Sequence, residues 1–337
     1  MYKSCFVGCG PRAVGHAEAY RHVTKARLEA VCDADADRRD NLAGRFDVPR
    51  RYADLREMLD KEKPDLLHVV TQPSQRVEFL ELAGETHLPA MIVEKPLVLD
   101  AGDYNAVAEL AETLTTRVVV NHQLRYHPKV LELLELVRGG GIGEVRFLDG
   151  SARYPLGGQG THVLNLMFAF AGDARPSRVF GQASGFTCPV PHHPCPDAAV
   201  GEIVFDSGAH GLLACGENAP VVHDPNLDWM HKRLAVYGTR GFLHWTMNSW
   251  ELSTPEAGYR HGEKEYAAED VLGQAAMTDA VFDWLEDDAS PHANRLEVSL
   301  AECNTVLGMY HSALARATVA LPFQPEGSYL EAFAEVL

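Results

Sequence analysis

Over the first stretch of about 120 residues, short apolar runs alternate with longer segments whose apolar positions recur at helical spacing. The runs Cys5–Val7, Leu28–Cys32, Leu66–Val70, Ala90–Val93 and Val118–Val120 are predicted strands. Between them, Ala13–His22, Asp35–Phe46, Asp54–Lys61, Ser74–Glu85 and Ala101–Leu114 are predicted helices, and Pro64 stops the third. Strands that are apolar throughout and separated by helices form a parallel sheet covered on both faces. Right-handed crossovers make such a sheet doubly wound.

The pattern changes after a predicted helix at Pro128–Arg138, which Gly139–Gly141 stops. Val145–Ala152, Arg178–Phe186, Val200–Phe205, Gly211–Cys215, Leu234–Gly238 and Phe242–Met247 read as strands. Turn signals such as Asp206–Gly208 and Gly238–Gly241 join them, which suggests an antiparallel meander. Thr161–Ala171, Gln274–Glu286 and Leu296–Ala317 are helix candidates. The expected fold is α/β: an N-terminal doubly wound parallel sheet over residues 1–122, then an α+β domain over residues 123–337. The C-terminal segment is left free to pack back on the first domain. A chain of 337 residues fits two domains.

Charge and cysteine content narrow the function classes. Thirty basic against 47 acidic residues leave a net charge of −17. Binding to phosphate backbones or anionic membranes takes clustered Lys and Arg, so neither nucleic acid nor membrane is an expected partner. No apolar run reaches about 18 residues, and Met1–Gly10 lacks the pattern of a signal peptide. Seven scattered cysteines fit reduced thiols, and a cytoplasmic location is expected.

Gly8-Cys9-Gly10-Pro11-Arg12-Ala13 matches G-x-G-x-x-[GA] between a strand and a helix, the context that gives the motif its meaning. Gly8 and Gly10 allow a tight turn and close approach of a pyrophosphate, and the helix N-terminus supplies positive potential. Asp33 ends the second strand, 20 residues after Ala13. Its carboxylate suits a ribose 2′-hydroxyl and repels a 2′-phosphate, so NAD is expected over NADP. The bland alternative is that Asp33 caps the next helix.

Cys188-Pro-Val-Pro-His192-His193-Pro-Cys195-Pro-Asp197 holds metal-type ligands, but C-x₃-H-H-x-C is no standard zinc spacing. It reads as a proline-stiffened rim loop, with no metal expected. Among Trp229, Trp245 and Trp250, packing is the common role, and Trp229 is the best placed as a ligand platform.

Further segments carry a family likeness. Gly15-His16-Ala17, Thr71-Gln72-Pro73, Glu94-Lys95-Pro96, Arg125-Tyr126-His127-Pro128, Gly160-Thr161-His162 and Val236–Gly241 follow the glycine turn in order. Together they resemble the Gfo/Idh/MocA family, the glucose–fructose oxidoreductase and inositol dehydrogenase type. The resemblance implies an NAD(P)-dependent dehydrogenase of a sugar, sugar derivative or cyclitol. It also implies a Rossmann domain, an open and mostly antiparallel second sheet, and a homodimer or homotetramer. It places Gly8, Gly10, Pro11, Arg12, Ala13, Asp33, Thr71, Gln72, Pro73, Glu94 and Lys95 at the cofactor. Lys95 and His162 become the catalytic pair, Lys95 polarising the reacting hydroxyl and His162 handling its proton. Gln123, Arg125, Tyr126, Tyr154, Gln159, His162 and Asn165 are implied to face substrate.

The chain departs from the family pattern Asp-x-Gly-x-His-x-x-Asp. It reads Gly158-Gln159-Gly160-Thr161-His162-Val163-Leu164-Asn165, so both carboxylates are missing. Tyr154, His122, His127 and Gln123 are candidates by sequence position to replace the acid, and Arg76 stands where the family often has histidine. The loss leaves two alternatives open: a redox-neutral glycoside hydrolase or lyase that keeps NAD bound, and a non-catalytic NAD-binding regulator.

Overall fold

The computed structural model describes residues 1–188, 193–223 and 226–337. The chain begins β1 (Tyr2–Val7), α1 (Pro11–Ala19), β2 (Ala26–Cys32), α2 (Ala36–Arg45), β3 (Arg50–Tyr52), α3 (Leu55–Glu62). It goes on through β4 (Leu66–Val69), α4 (Arg76–Glu85), β5 (Ala90–Val93), α5 (Ala101–Ala111), β6 (Arg117–Val120) and α6 (Pro128–Arg138). Next come β7 (Val145–Ala152), α7 (Thr161–Phe170), β8 (Pro176–Ser184), β9 (Ala198–Phe205), β10 (His210–Cys215), β11 (Lys232–Gly238) and β12 (Phe242–Thr246). The chain ends with β13 (Ser249–Thr254), β14 (Gly258–Glu263), α8 (Tyr266–Glu286), α9 (Leu296–Ala315), β15 (Val319–Ala320) and α10 (Tyr329–Val336).

These elements gather into two compact units. The first comprises Met1–Leu97, Ala106–Pro128 and Ala267–Ser299, and the second Val98–Asn105, Lys129–Tyr266 and Leu300–Leu337. The division differs from a single cut between residues 122 and 123. Its physical reason lies on α8, whose Met277, Val281 and Phe282 join Leu66, Ala90, Ile92 and Val119 in one buried cluster against the first sheet.

The first unit holds a six-stranded sheet, parallel throughout, in the order β3-β2-β1-β4-β5-β6. This is the doubly wound order, with its switch point between β1 and β4. Every residue of β4 and β5 is buried, as a strand covered on both faces requires. Asp35 and Asp54 cap α2 and α3, their carboxylates accepting from the Arg38 and Glu57 amides. The polar edge strand β3 was not among the expected strands, because its Arg-Arg-Tyr carries no apolar run.

The second unit holds a nine-stranded mixed sheet, β14-β13-β12-β11-β7-β10-β9-β8-β15. Its β7–β10 pair is parallel and the other pairings are antiparallel. Along β9, Ala199, Gly201, Ile203 and Phe205 are buried while Val200 and Glu202 are exposed, the alternation of a half-covered strand. Glycine in the sheet lets the covering helices close in. A Cβ on Gly150 of β7 would lie 2.7 Å from Val163 Cγ1 of α7, and one on Gly181 of β8 would lie 2.5 Å from the Met309 carbonyl oxygen of α9.

Candidate active site

The chain leaves β1 into a glycine turn at the switch point. Gly8 has φ +88°, and a Cβ there would lie 2.4 Å from the Val70 carbonyl oxygen. A Cβ on Gly10 would meet nothing within 4 Å, so the turn is packed tightly below Gly8 and open at Gly10. Pro11 opens α1 and no side chain caps that helix. A helix N-terminus left uncapped above an open glycine is suited to a phosphate group. Ala13 is fully buried in the cluster formed with Phe6, Ala17 and Val31. Thr71 flanks Gly8, Pro73 is buried beneath the next turn, and Gln72 is exposed.

Asp33 is tied to this turn and is not the cap of α2, a role that Asp35 fills. Its Oδ2 accepts from the Cys9 amide at 2.8 Å and its Oδ1 from the Asp35 amide at 2.9 Å. Arg39 Nη1 donates to the Asp33 carbonyl oxygen at 3.0 Å.

Glu94, at the end of β5, is the hub of a buried polar network. Its Oε1 accepts from Arg12 Nε, His16 Nε2 and Asn121 Nδ2, each at 2.8 Å. Burial alone would raise this carboxyl, but the Arg12 guanidinium and the His16 hydrogen bond hold it well below the usual carboxylate range. With His16 Nε2 donating to Glu94, its Nδ1 accepts from His68 Nδ1 at 3.1 Å, and His68 Nε2 accepts from the Tyr20 hydroxyl at 2.8 Å. Burial lowers both imidazoles, so this chain of hydrogen bonds is neutral up to the carboxylate. Arg76, also buried, donates from Nη2 to the Glu94 carbonyl oxygen at 2.8 Å.

Lys95 follows Glu94 at the carboxyl end of β5, and its amide donates to Glu94 Oε2 at 3.2 Å. The side chain is half-buried. That burial pushes the ammonium down to about 8, against the pull of Glu94 and with a further push from Arg12. A lysine that titrates near the working pH is a hallmark of functional sites.

α8 adds groups that the sequence pattern did not single out. Arg12 Nη2 donates to Gln274 Oε1 at 3.3 Å, and Gln123 Nε2 donates to Asp270 Oδ1 at 3.0 Å. His127 Nε2 lies 3.5 Å from the same carboxylate. Burial works against the Asp270 charge, but the His127 contact and Arg12 hold its carboxyl well below the ordinary range. Reading α8 from Gln274 cut off its first two turns, where Glu269 and Asp270 sit.

In the second unit, the five-residue wide turn Leu156–Gly160 leads into α7. His162 and Asn165 are buried on α7, and Gln159 is half-buried in the turn. A Cβ on Gly158 would lie 3.0 Å from the Tyr154 ring, so that ring stands where a side chain at 158 would begin. Asn165 Nδ2 donates to Oε1 of the buried Glu302 at 2.8 Å.

Residues 2–122 match the model of the Gfo/Idh/MocA oxidoreductases, a family with an NAD-binding Rossmann fold. Those residues belong to the Gfo/Idh/MocA family. A D-apiose dehydrogenase of Paraburkholderia graminis is 29% identical over 142 residues, which is 42% of this chain and 38% of that protein. A glycosyl hydrolase family 109 protein of Shewanella baltica is 26% identical over 162 residues, 44% of this chain and 34% of that protein. The matched stretch therefore spans well under half the length of these curated relatives. An Agrobacterium radiobacter oxidoreductase, solved with NAD⁺, L-tartaric acid and magnesium, superposes with a TM-score of 0.81 at 18% identity. It covers 95% of this chain and 98% of that one, and at this identity shares the fold.

The implied cofactor residues Gly8, Gly10, Arg12, Asp33, Thr71, Glu94 and Lys95 all belong to the first unit. Gln123, Arg125 and Tyr126 belong to it too, each bonded to the segment that carries α8 and the loop after it. Arg125 is buried with Nη1 toward the Ala293 carbonyl oxygen, and the Tyr126 hydroxyl accepts from the Ala293 amide while its ring stacks on His292. Tyr154, Gln159, His162 and Asn165 belong to the second unit. Trp229 is exposed with an edge contact to Tyr266, and Trp245 is fully buried. Of the Cys188–Asp197 segment, Pro189–His192 lie outside the described residues. Among the described residues no three His, Cys, Asp or Glu side chains are grouped to hold a metal.

Proposed function

We propose that this chain is an NAD-dependent oxidoreductase acting on a secondary hydroxyl of a sugar, sugar derivative or cyclitol. The observation that carries the reading is Lys95. It sits at the carboxyl end of β5, the strand next to β4, half-buried, with its ammonium held near 8 beside the Glu94–Arg12 pair. The glycine turn suits the pyrophosphate at Gly8–Ala13, and Asp33 suits the ribose and favours NAD over NADP. NAD, when bound, supplies the acceptor for the hydride that leaves the carbinol carbon. Lys95, as ammonium, donates to the reacting oxygen and stabilises its growing negative charge. His162 takes the hydroxyl proton as the carbonyl forms. Tyr154, Gln159 and Asn165 are assigned to substrate hydroxyls. The reading places the enzyme in the cytoplasm as a homodimer or homotetramer. Exposed Phe147, Phe180, Val200 and Tyr237 place large apolar side chains among charged ones on the outer side of the nine-stranded sheet, a mixed surface that suits such assembly.

A second reading is favoured by Gly158 and Asn165, which lack the carboxylates of the family pattern, and by the likeness to a glycosyl hydrolase family 109 protein. In it, NAD stays bound and the sugar is oxidised, cleaved and reduced again. Absorbance at 340 nm separates the two, with NAD⁺ in small excess over protein and a pooled panel of cyclitols, aldoses, uronates and glycosides. NADH rising until NAD⁺ is consumed supports the dehydrogenase. A rise that stalls at one enzyme equivalent while chromatography shows converted sugar supports the redox-neutral enzyme.

A further inference from the structure

Arg76 opens α4, and its side chain runs to the carboxyl end of β5, where Nη2 donates to the Glu94 carbonyl oxygen at 2.8 Å. The parallel ladder of β5 closes just before that point. There the Glu94 amide donates to the Val69 carbonyl oxygen at 3.2 Å, and the Asn121 amide donates to the Val93 carbonyl oxygen at 2.8 Å. The next peptide, between Glu94 and Lys95, is held by side chains at both ends. Its carbonyl accepts from Arg76, and its N–H, which belongs to Lys95, donates to Glu94 Oε2 at 3.2 Å. The oxygen end of the peptide dipole thus faces a cation and the N–H end faces an anion, so both bonds are charge-assisted. Glu94 is in turn fixed by Arg12, His16 and Asn121. Arg76 is a costly residue for this task. It is 1% exposed, and its Nε and Nη1 have no hydrogen-bond partner among the described residues. Burial pushes the guanidinium down to about 10, against the pull of Glu94, and it stays charged at neutral pH. A buried cation with unanswered donors weakens the fold, so stability alone does not account for an arginine here.

We propose that Arg76 is a positioning residue for Lys95: it pins the peptide plane from which the Lys95 side chain departs, and so fixes where the ammonium sits. For what that ammonium does, the proposal rests on the dehydrogenase reading above. A peptide held at one end only is free to rotate through ψ of Glu94 and φ of Lys95, and that rotation carries the Lys95 side chain with it. Misplacing a reacting group by about 1 Å is enough to cost a rate about 100-fold.

The test compares wild type with Arg76→Met, Arg76→Gln and Arg76→Lys. Methionine has no donor, glutamine ends two bonds short of Nη2, and lysine keeps the charge and a donor of nearly the same reach. The first readout is backbone amide hydrogen exchange followed in ¹⁵N spectra, which needs no substrate. In Arg76→Met and Arg76→Gln the Lys95 amide should exchange at least about tenfold faster than in wild type, while Met91–Val93 of β5 stay within about twofold. In Arg76→Lys the Lys95 amide should stay within about threefold of wild type. The second readout is kinetics on the substrate found in the 340 nm panel. In Arg76→Met and Arg76→Gln kcat should fall about 10–100-fold with KM within about threefold, and Arg76→Lys should keep kcat within about fivefold of wild type. A merely structural arginine would speed exchange in Met91–Val93 and Lys95 alike. That outcome, an unchanged Lys95 amide in whichever of the methionine and glutamine variants folds, or fast Lys95 exchange with full kcat would each overturn the proposal. If the panel gives no turnover, the dehydrogenase reading fails, and exchange at Lys95 with its return in Arg76→Lys decides whether the pin exists.

Discussion

Replacing Lys95 by methionine should stabilise the protein while removing its activity. The ammonium is pushed from an ordinary 10.5 down to about 8, chiefly by burial. A tenfold change in proton affinity is worth about 1.4 kcal/mol, so holding the charge at pH 7 costs roughly 3 kcal/mol, and water reaching the half-buried side chain trims that to about 2. The pull of Glu94 is already contained in the net shift. Methionine keeps the apolar stem and drops the charge. The sign follows from proton uptake. The folded form binds the proton less tightly than the unfolded chain, so the penalty is complete below pH 8 and fades as pH rises from about 8 toward 10.5. Thermal melts of wild type and Lys95→Met should differ by several degrees at pH 7, with the variant higher, and should converge near pH 10. Other titrating groups cancel in the difference. The same variant should lose at least about 10³-fold in kcat/KM. In wild type, kcat/KM should fall as pH passes about 8 and the ammonium is lost. A variant that melts lower at pH 7, or a difference that stays constant to pH 10, would refute the burial argument. Wild-type activity that rises above pH 8 would show that neutral Lys95 is the base.

Two further perturbations address the supports of the site. Glu94→Gln removes the negative charge from the group that accepts from Arg12, His16 and Asn121 and should cost about 3–5 kcal/mol at pH 7, measured by denaturant unfolding. Because the Glu94 carboxyl is held below its ordinary 4.5, its contribution is present above that pH and lost as pH falls through the folded-state value; the gap between wild type and variant should therefore close in acid. Asp33→Ser removes the carboxylate beside the glycine turn while Arg39 remains next to it, and the ratio of NADPH to NADH affinity, read by fluorescence titration, should rise at least about tenfold. An unchanged ratio would sever Asp33 from cofactor choice.

Much of the first sheet was legible because its signals are local. A buried parallel strand must be apolar on both sides, and Leu66–Val69 and Ala90–Val93 announce themselves that way. The G-x-G-x-x-A turn carries its own context, a strand before and a helix after. Strands β13 and β14 were not legible for the converse reason. In β14, Gly258–Glu263 is exposed nearly throughout, so no burial pattern marks it, and it is joined to β13 by a backbone ladder that the sequence does not signal. The start of α8 was missed because Glu269 and Asp270 interrupt Tyr266–Leu272 and none of those seven residues is fully buried, so no core-facing stripe begins before Gly273.

The candidate site divides along the same line. Motif reading finds residues whose chemistry is fixed by neighbours in sequence, such as Glu94 and Lys95, or His162 and Asn165. It cannot see a partner supplied by a distant helix. Gln274 reaches Arg12 across 262 positions, Asp270 reaches Gln123 across 147, and Glu302 reaches Asn165 across 137. A motif that has lost its carboxylates therefore says little about whether the site has lost its acceptors. Burial limits the possibilities more tightly than the motif does. A carboxylate as buried as Glu302 is retained where its charge is answered by hydrogen bonds, and each donor it holds is fixed in turn. The amide at 165 and the glutamate at 302 thus form one hydrogen-bonded pair written in two places of the chain. In a comparison of related chains the pair should change together: aspartate at 165 with an uncharged residue at 302, or asparagine at 165 with a carboxylate at 302. Relatives that keep asparagine at 165 over an apolar residue at 302, yet oxidise the same substrates at the same rate, would break that link.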